Sequence, residues 1–262
     1  MAEEPLSGGI SNAGQVVRDG PHVLRPATAH TRSIHAMLRA VRAAGFDGVP
    51  EPVGIDDDGR ERLVFIEGEV PTSPYPSWSQ SDDALASVAG LLRRLHDAVR
   101  RFDPRGHSWD GRLADPAGGT VVCHNDVELS NVVFRGGIAV ALLDFELAAP
   151  GRPVYDLAHL ARVCVPIEHD RDRARMGWRP ADHGARVRSV ADAYGLDGAG
   201  RKELLTAIDD ALERIETMVR ESVSRNEPAA IAALPLTGGI EKFERRRRWW
   251  SEHRGDFAAA LL

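Results

Sequence analysis

The chain has 262 residues, 43% hydrophobic and 27% charged, enough apolar material for one large domain or two small ones with a core that needs no staples. Lys and Arg total 33 against 39 Asp and Glu, a net charge of -6, which argues against a nucleic-acid binder. Two cysteines, Cys123 and Cys164, make no disulfide framework, no apolar run reaches the ~18 residues of a membrane helix, and the acidic start Met1–Pro5 lacks a signal-peptide pattern, so a cytoplasmic protein without a membrane partner is expected.

In chain order, Gln15–Arg18 and His22–Arg25 read as strands with Asp19-Gly20 as a hairpin turn, and Pro26 ends the second. Thr31 offers an N-cap, and Ile34, Met37, Leu38 and Val41 recur at helical spacing before Gly45. Val49–Val53 and Arg62–Glu67 read as two more strands around the acidic turn Asp56-Asp57-Asp58-Gly59. Gly68–Trp78, with Pro71, Pro74 and Pro76, is an irregular connector. From Ser81, the residues Leu85, Val88, Leu92, Leu95 and Val99 share one helical face. Val121–Phe145 is the later β-rich patch. Beyond Asp156 the pattern is mostly helical, with long helices over Glu203–Ser224 and Glu241–Leu262. The division predicted is a sheet-bearing unit, residues 1–67, and a larger helical unit, residues 68–262. The run Arg245–Trp250 reads as a solvated basic face with tryptophan anchors in the core.

The chemistry concentrates in His124-Asn125-Asp126-Val127-Glu128-Leu129-Ser130-Asn131 and in Asp144-Phe145-Glu146. Between them, Gly136-Gly137 makes a tight turn joining two apolar strands. Folding there lays Asn131 beside the residues around Leu142 to Asp144, so that an amide oxygen and a carboxylate converge. Such hard oxygen donors suit Mg²⁺ carrying substrate phosphates. Asp126 lies five residues before Asn131, placed to face the same site as a general base or as a group that orients the nucleophile. Cys123 beside His124 makes a poor nucleophile–base pair, because adjacent strand residues face opposite ways.

The spacing H-x-D-x-x-x-x-N, then a hairpin, then D-F-E resembles the aminoglycoside phosphotransferase and choline kinase-like branch of the protein-kinase superfold. Pro150–Ala158 resembles the segment that follows in that family, and the order of elements matches across nearly the whole chain. The resemblance implies an α+β bilobal fold with an antiparallel-sheet lobe and a larger helical lobe. It implies Asp126 as catalytic base toward a substrate hydroxyl, and Asn131 and Asp144 as ligands of Mg²⁺ on ATP or GTP. His124 would hold the loop, and Asp156 would brace it through backbone N–H groups. Ser11 and Asn12, in the Gly-containing stretch Ser7–Gly14, fall where the family contacts phosphate. Arg25 takes the place of the phosphate-gripping cation, with Arg18 as the alternative, and His35 takes the place of its partner, because Thr31–Ala44 holds no acidic residue. Val64, Phe65 and Ile66 align with the hinge that receives the base of the nucleotide. The expected activity is transfer of a nucleotide γ-phosphate to a hydroxyl of a small molecule, aminoglycoside-like or amino-alcohol. The rival reading is a non-catalytic kinase-fold binding or immunity protein, favoured by the missing helix carboxylate.

Overall fold

The computed structural model describes residues 3–6 and 14–261. Ser11 and Asn12 lie outside the described residues. A five-stranded antiparallel sheet comes first: β1 (Glu4–Pro5), β2 (Val17–Asp19), β3 (His22–Pro26), β4 (Pro52–Ile55) and β5 (Arg60–Val64), in the order β1-β2-β3-β5-β4. β4 starts three residues later than the apolar pattern predicts, and β5 starts two residues earlier. Helix α1 (Thr31–Ala43) covers this sheet. Thr31 is its first helical residue rather than its cap, and its hydroxyl accepts the Thr28 N–H.

The sheet runs into the rest of the chain through a close backbone contact. Glu69 and Phe134 exchange two N–H···O bonds of 2.8 Å. Gly68, at φ +151°, lies so near Val133 and Phe134 that a Cβ there would come within 2.6 Å of the Phe134 carbonyl oxygen. The connector therefore needs a glycine at that point.

The remainder is mainly helical and is built around α2 (Asp82–Val99), capped by the Ser81 hydroxyl on the Ala84 N–H. The face expected for it, Leu85, Val88, Leu92, Leu95 and Val99, is fully buried. Two hairpin-like pairs follow. β6 (Val121–Cys123) pairs with β9 (Ala149–Gly151), and between them β7 (Val132–Arg135) pairs with β8 (Ile138–Leu142). Gly136 and Gly137 turn the second hairpin with φ of +57° and +79°, the two positive values that a two-residue type I′ turn requires.

Helix α3 (Pro153–Cys164) is buried nearly all round and packs on α6 (Gly198–Ser224). α4 (Asp170–Arg175), α5 (His183–Tyr194), α7 (Pro228–Thr237) and α8 (Glu241–Leu261) complete the chain. Trp249 and Trp250 are core anchors, as predicted. The arginine run is not uniformly solvated, however. Arg246 is buried and bonds Glu168 and the Leu212 carbonyl, while Arg245 pairs with Asp172 and Arg247 with Glu216.

One buried histidine in this core has a measurable consequence. His159 on α3 is fully buried and packs edge-on to the Tyr155 ring at 4.8 Å, and among the described residues neither ring nitrogen has a partner. Burial, then the Arg162 charge, lowers its pKa to about 3. The unfolded chain takes up this proton near pH 6.5 while the folded chain refuses it until about pH 3, so the residue destabilises the fold progressively as pH falls below about 6.5. Chemical denaturation at pH 7 and pH 5 should therefore show a smaller loss for His159→Phe than for the wild type, by about 1–2 kcal/mol. Parallel losses would show that His159 does not titrate on unfolding.

Candidate active site on the hairpin loop

The loop that leaves β6 is held from below by Asp156. This carboxylate is wholly buried, and its two oxygens accept the backbone N–H groups of His124 (2.6 Å) and Asn125 (2.8 Å). Its Oδ2 also accepts Nε2–H of His96 at 2.9 Å, and His96 Nδ1 meets the Tyr194 hydroxyl at 2.7 Å. Burial raises the Asp156 pKa, but the His96 bond and the surrounding donors outweigh it and keep the group below the ordinary carboxylate range. Cys123 Sγ lies near this pair, yet both carboxylate oxygens are already engaged, so the His96–Cys123–Asp156 cluster is a structural brace.

His124 ties the loop to the end of the hairpin. Its Nδ1 accepts the Asp126 N–H at 3.2 Å, and its Nε2 donates to the Leu143 carbonyl at 2.7 Å. The fold-back predicted from the Gly-Gly turn is observed: Val132 pairs with Leu142, and the Leu143 N–H donates to the Asn131 carbonyl at 2.8 Å. Asn131 Nδ2 donates to the Asp126 carbonyl (3.0 Å) and to its Oδ2 (3.1 Å). Asn131 is thus fixed by Asp126, and among the described residues its amide oxygen is left for another partner. Asp144 follows β8 in the left-handed region, φ +60°, with its carboxylate about one-third exposed.

Asp126 is half-buried. Burial raises its pKa to about 8, the charges of Glu128 and Asp144 add to this, and Arg162 and the Asn131 hydrogen bond oppose it. A carboxyl tuned that close to neutral pH is suited to accept a proton from a hydroxyl.

Arg25 on β3 reaches this cluster from the sheet. Its guanidinium donates to Asp144 Oδ1 at 2.7 Å, with Glu146 Oε1 at 3.6 Å. Its Nε donates to Glu61 Oε1 at 2.5 Å, and His35 Nε2 donates to the other Glu61 oxygen at 2.7 Å. Burial opposes the charge on Arg25, but three carboxylates outweigh it and raise its pKa further. Burial likewise raises Glu61, and the His35 bond and Arg25 charge reverse this to leave it lowered. So Arg25 and His35 do stand together, but they do not touch as a pair. Glu61 of β5 lies between them and supplies the carboxylate that α1 lacks. Arg18 is turned away, bonded to Glu67 and stacked over the Phe65 ring at 3.9 Å.

Glu61 was legible in principle. It is the direct cross-strand neighbour of Arg25, and it alternates with the buried Leu63 on one face of β5. Val64 ends β5, and Phe65 N–H donates to the Pro21 carbonyl at 2.8 Å; with Ile66 they form the segment that leads out of the sheet.

The donor set suits a hard cation: Asn131 offers an amide oxygen and Asp144 a carboxylate oxygen beyond the one that Arg25 holds. A braced loop carrying a near-neutral carboxyl, a fold-back hairpin carrying two oxygen donors, and a cation delivered from a small sheet thus meet at one place. The sequence profile described as the phosphotransferase enzyme family matches residues 102–205, which span the loop, the hairpin and α3. The trifolitoxin immunity protein of Rhizobium leguminosarum bv. trifolii is 33% identical over 258 residues, covering 94% of each chain. Among solved structures, a choline/ethanolamine kinase family protein from Mesorhizobium loti superposes with a TM-score of 0.66 at 18% identity, over 100% of this chain and 92% of that one. The GDP complex of aminoglycoside 2′-phosphotransferase-IIIa gives 0.59 at 14% identity, over 97% and 93%. The chain belongs to the phosphotransferase enzyme family, and its fold is the bilobal kinase-like one that it shares with choline/ethanolamine kinase and aminoglycoside phosphotransferase structures.

Proposed function

We propose that this protein is a Mg²⁺-dependent phosphotransferase that moves the γ-phosphate of ATP or GTP to a hydroxyl of a small molecule in the cytoplasm. The observation that carries the reading is the convergence of Asp126, Asn131 and Asp144 at one hairpin, with Arg25 delivered to Asp144 from the sheet. Asp126 orients the acceptor hydroxyl and takes its proton. Asn131 and Asp144 hold the metal, which when bound neutralises phosphate charge. Arg25 grips the α/β-phosphates, positioned by Glu61 and His35. Ser11 and Asn12 contact phosphate, and Val64, Phe65 and Ile66 receive the base. On this reading residues 1–67 form the nucleotide-binding lobe and residues 68–262 the catalytic and substrate-binding lobe. Catalysis of this kind is positioning and electrostatics rather than covalent chemistry. Solved relatives are named as complexes with GDP, with kanamycin and with ATP and streptomycin, which supports nucleotide use and makes aminoglycosides and amino alcohols the first acceptors to assay.

A second reading, immunity by binding without turnover, is supported by the likeness to the trifolitoxin immunity protein. The two separate in one experiment. Nucleotide binding by calorimetry and γ-phosphate transfer to an acceptor panel are measured for the wild type and Asp144→Ala. Mg²⁺-dependent transfer by the wild type, lost in the variant, supports the enzyme. Tight nucleotide binding without transfer to any acceptor, or to water, sinks it in favour of the binding protein.

A further inference from the structure

Arg162 on α3 is a partly buried charged group that the described residues leave unused. It is half-buried, its Nε is sealed from solvent without a partner, and among the described residues its guanidinium makes no hydrogen bond or ion pair. Other unpaired arginines, such as Arg101 and Arg248, are exposed, where water serves them. Desolvating part of a guanidinium without a counter-charge is costly, so such a group is expected where a ligand completes it.

Its surroundings say what kind of ligand. Arg162 stands close enough to Asp126 for its charge to act on that carboxyl, and close enough to Arg246 of α8 for the two cations to repel. Lys242 and Arg246 on α8 share one carboxylate, Glu168, at 3.1 and 3.3 Å. Glu216 also acts on Arg246 and Asp172 on Lys242, so these two cations are answered by acids, whereas the Arg162 guanidinium has no ion pair among the described residues. The acids facing it across the site are Asp126 itself and Glu128, one oxygen of which is taken by the Ser130 hydroxyl.

We propose that Arg162 is an acceptor-specificity residue: the molecule presented to Asp126 carries, besides its hydroxyl, an oxyanionic group, carboxylate or phosphate, that pairs with the Arg162 guanidinium. A planar guanidinium matches either oxyanion through paired N–H···O bonds. A cationic acceptor would place like charge against Arg162. The inference rests on the phosphotransferase reading, in which the acceptor oxygen bonds to the γ-phosphorus, the bond from phosphorus to the β–γ bridging oxygen breaks, the nucleoside diphosphate leaves and the hydroxyl proton passes to Asp126.

The test measures transfer from γ-labelled Mg-ATP and Mg-GTP to glycerate and serine (carboxylates), glycerol 3-phosphate (a phosphate), and ethanolamine, choline and kanamycin (cations). Wild type, Arg162→Gln and Arg162→Lys are compared. The expected result is turnover of anionic acceptors. Arg162→Gln should raise their KM about 10- to 100-fold with the nucleotide KM unchanged, and Arg162→Lys should recover part of the loss. Which oxyanion is used follows from whether the carboxylates or the phosphate respond. Equal or better turnover of the cationic acceptors, or an unchanged acceptor KM in Arg162→Gln, overturns the proposal. Should nothing be phosphorylated, the phosphotransferase reading fails on its own, and thermal shifts with glycerate and inorganic phosphate decide Arg162 separately. Stabilisation of the wild type that is absent from Arg162→Gln supports the anion site; equal shifts, or none, overturn it.

Discussion

Asp126→Asn should lower kcat about 10²- to 10⁴-fold while leaving nucleotide affinity unchanged. The amide keeps the shape of the carboxylate and its place beside Asn131, so the loop should stay where His124 and Asp156 hold it. What is lost is the capacity to take a proton. Stability should move the other way. Asp126 has a folded pKa of about 8 against an ordinary 3.8, so the folded chain holds a proton that the unfolded chain has released, and the ionised carboxyl destabilises the fold as pH rises through that window. The variant should therefore gain stability over the wild type from pH 4 toward pH 8, which denaturant midpoints at the two pH values would reveal. A group that contributes to rate at the expense of stability is the expected mark of an active site. A variant with undiminished turnover would remove Asp126 from the chemistry.

The second large effect is expected at Glu61. Only 2% of it is exposed, and it holds two buried partners, Arg25 and His35. Glu61→Ala leaves a buried guanidinium with part of its counter-charge gone. Removing one partner of a buried pair costs about 3–5 kcal/mol, and the lower figure applies here because Arg25 keeps Asp144. Glu61→Gln, which can still accept one bond, should fall between. Arg25 freed from Glu61 should settle further onto Asp144, so Mg-nucleotide affinity should drop together with the denaturation midpoint. An unchanged midpoint with normal nucleotide affinity would show that the Arg25–Glu61–His35 chain is dispensable.

The parts of the site that read directly from the sequence are those set by local spacing. Asp126 and Asn131 are five residues apart in one loop, and the Gly-Gly turn dictates where Asp144 must come back to them. The apolar pattern starts β5 only at Arg62, which puts Glu61 in the turn. Polar residues alternate with few apolar ones in that strand, so the register is weakly marked, and the cross-strand pairing with Arg25 comes from tertiary structure. The same reason hides β1, two residues long, and the burial of Arg246, which depends on Glu168 arriving from seventy-eight residues away. Arg162 gave no signal in sequence, because an arginine in an amphipathic helix is ordinary until its partners are found missing.

The contact between Arg25 and Asp144 is one of several that join the sheet lobe to the helical lobe: Glu146 stands 3.6 Å from the same guanidinium, and the Leu142 N–H donates to the Gly48 carbonyl. The lobes also share an apolar core, but a partly exposed ion pair, unlike that core, responds to its medium. Salt should loosen it, and a divalent cation arriving at Asp144 should compete directly with the guanidinium for the same oxygens. On the function proposed above, a cation that loads Asp144 also releases Arg25 from it, so that the two become one event.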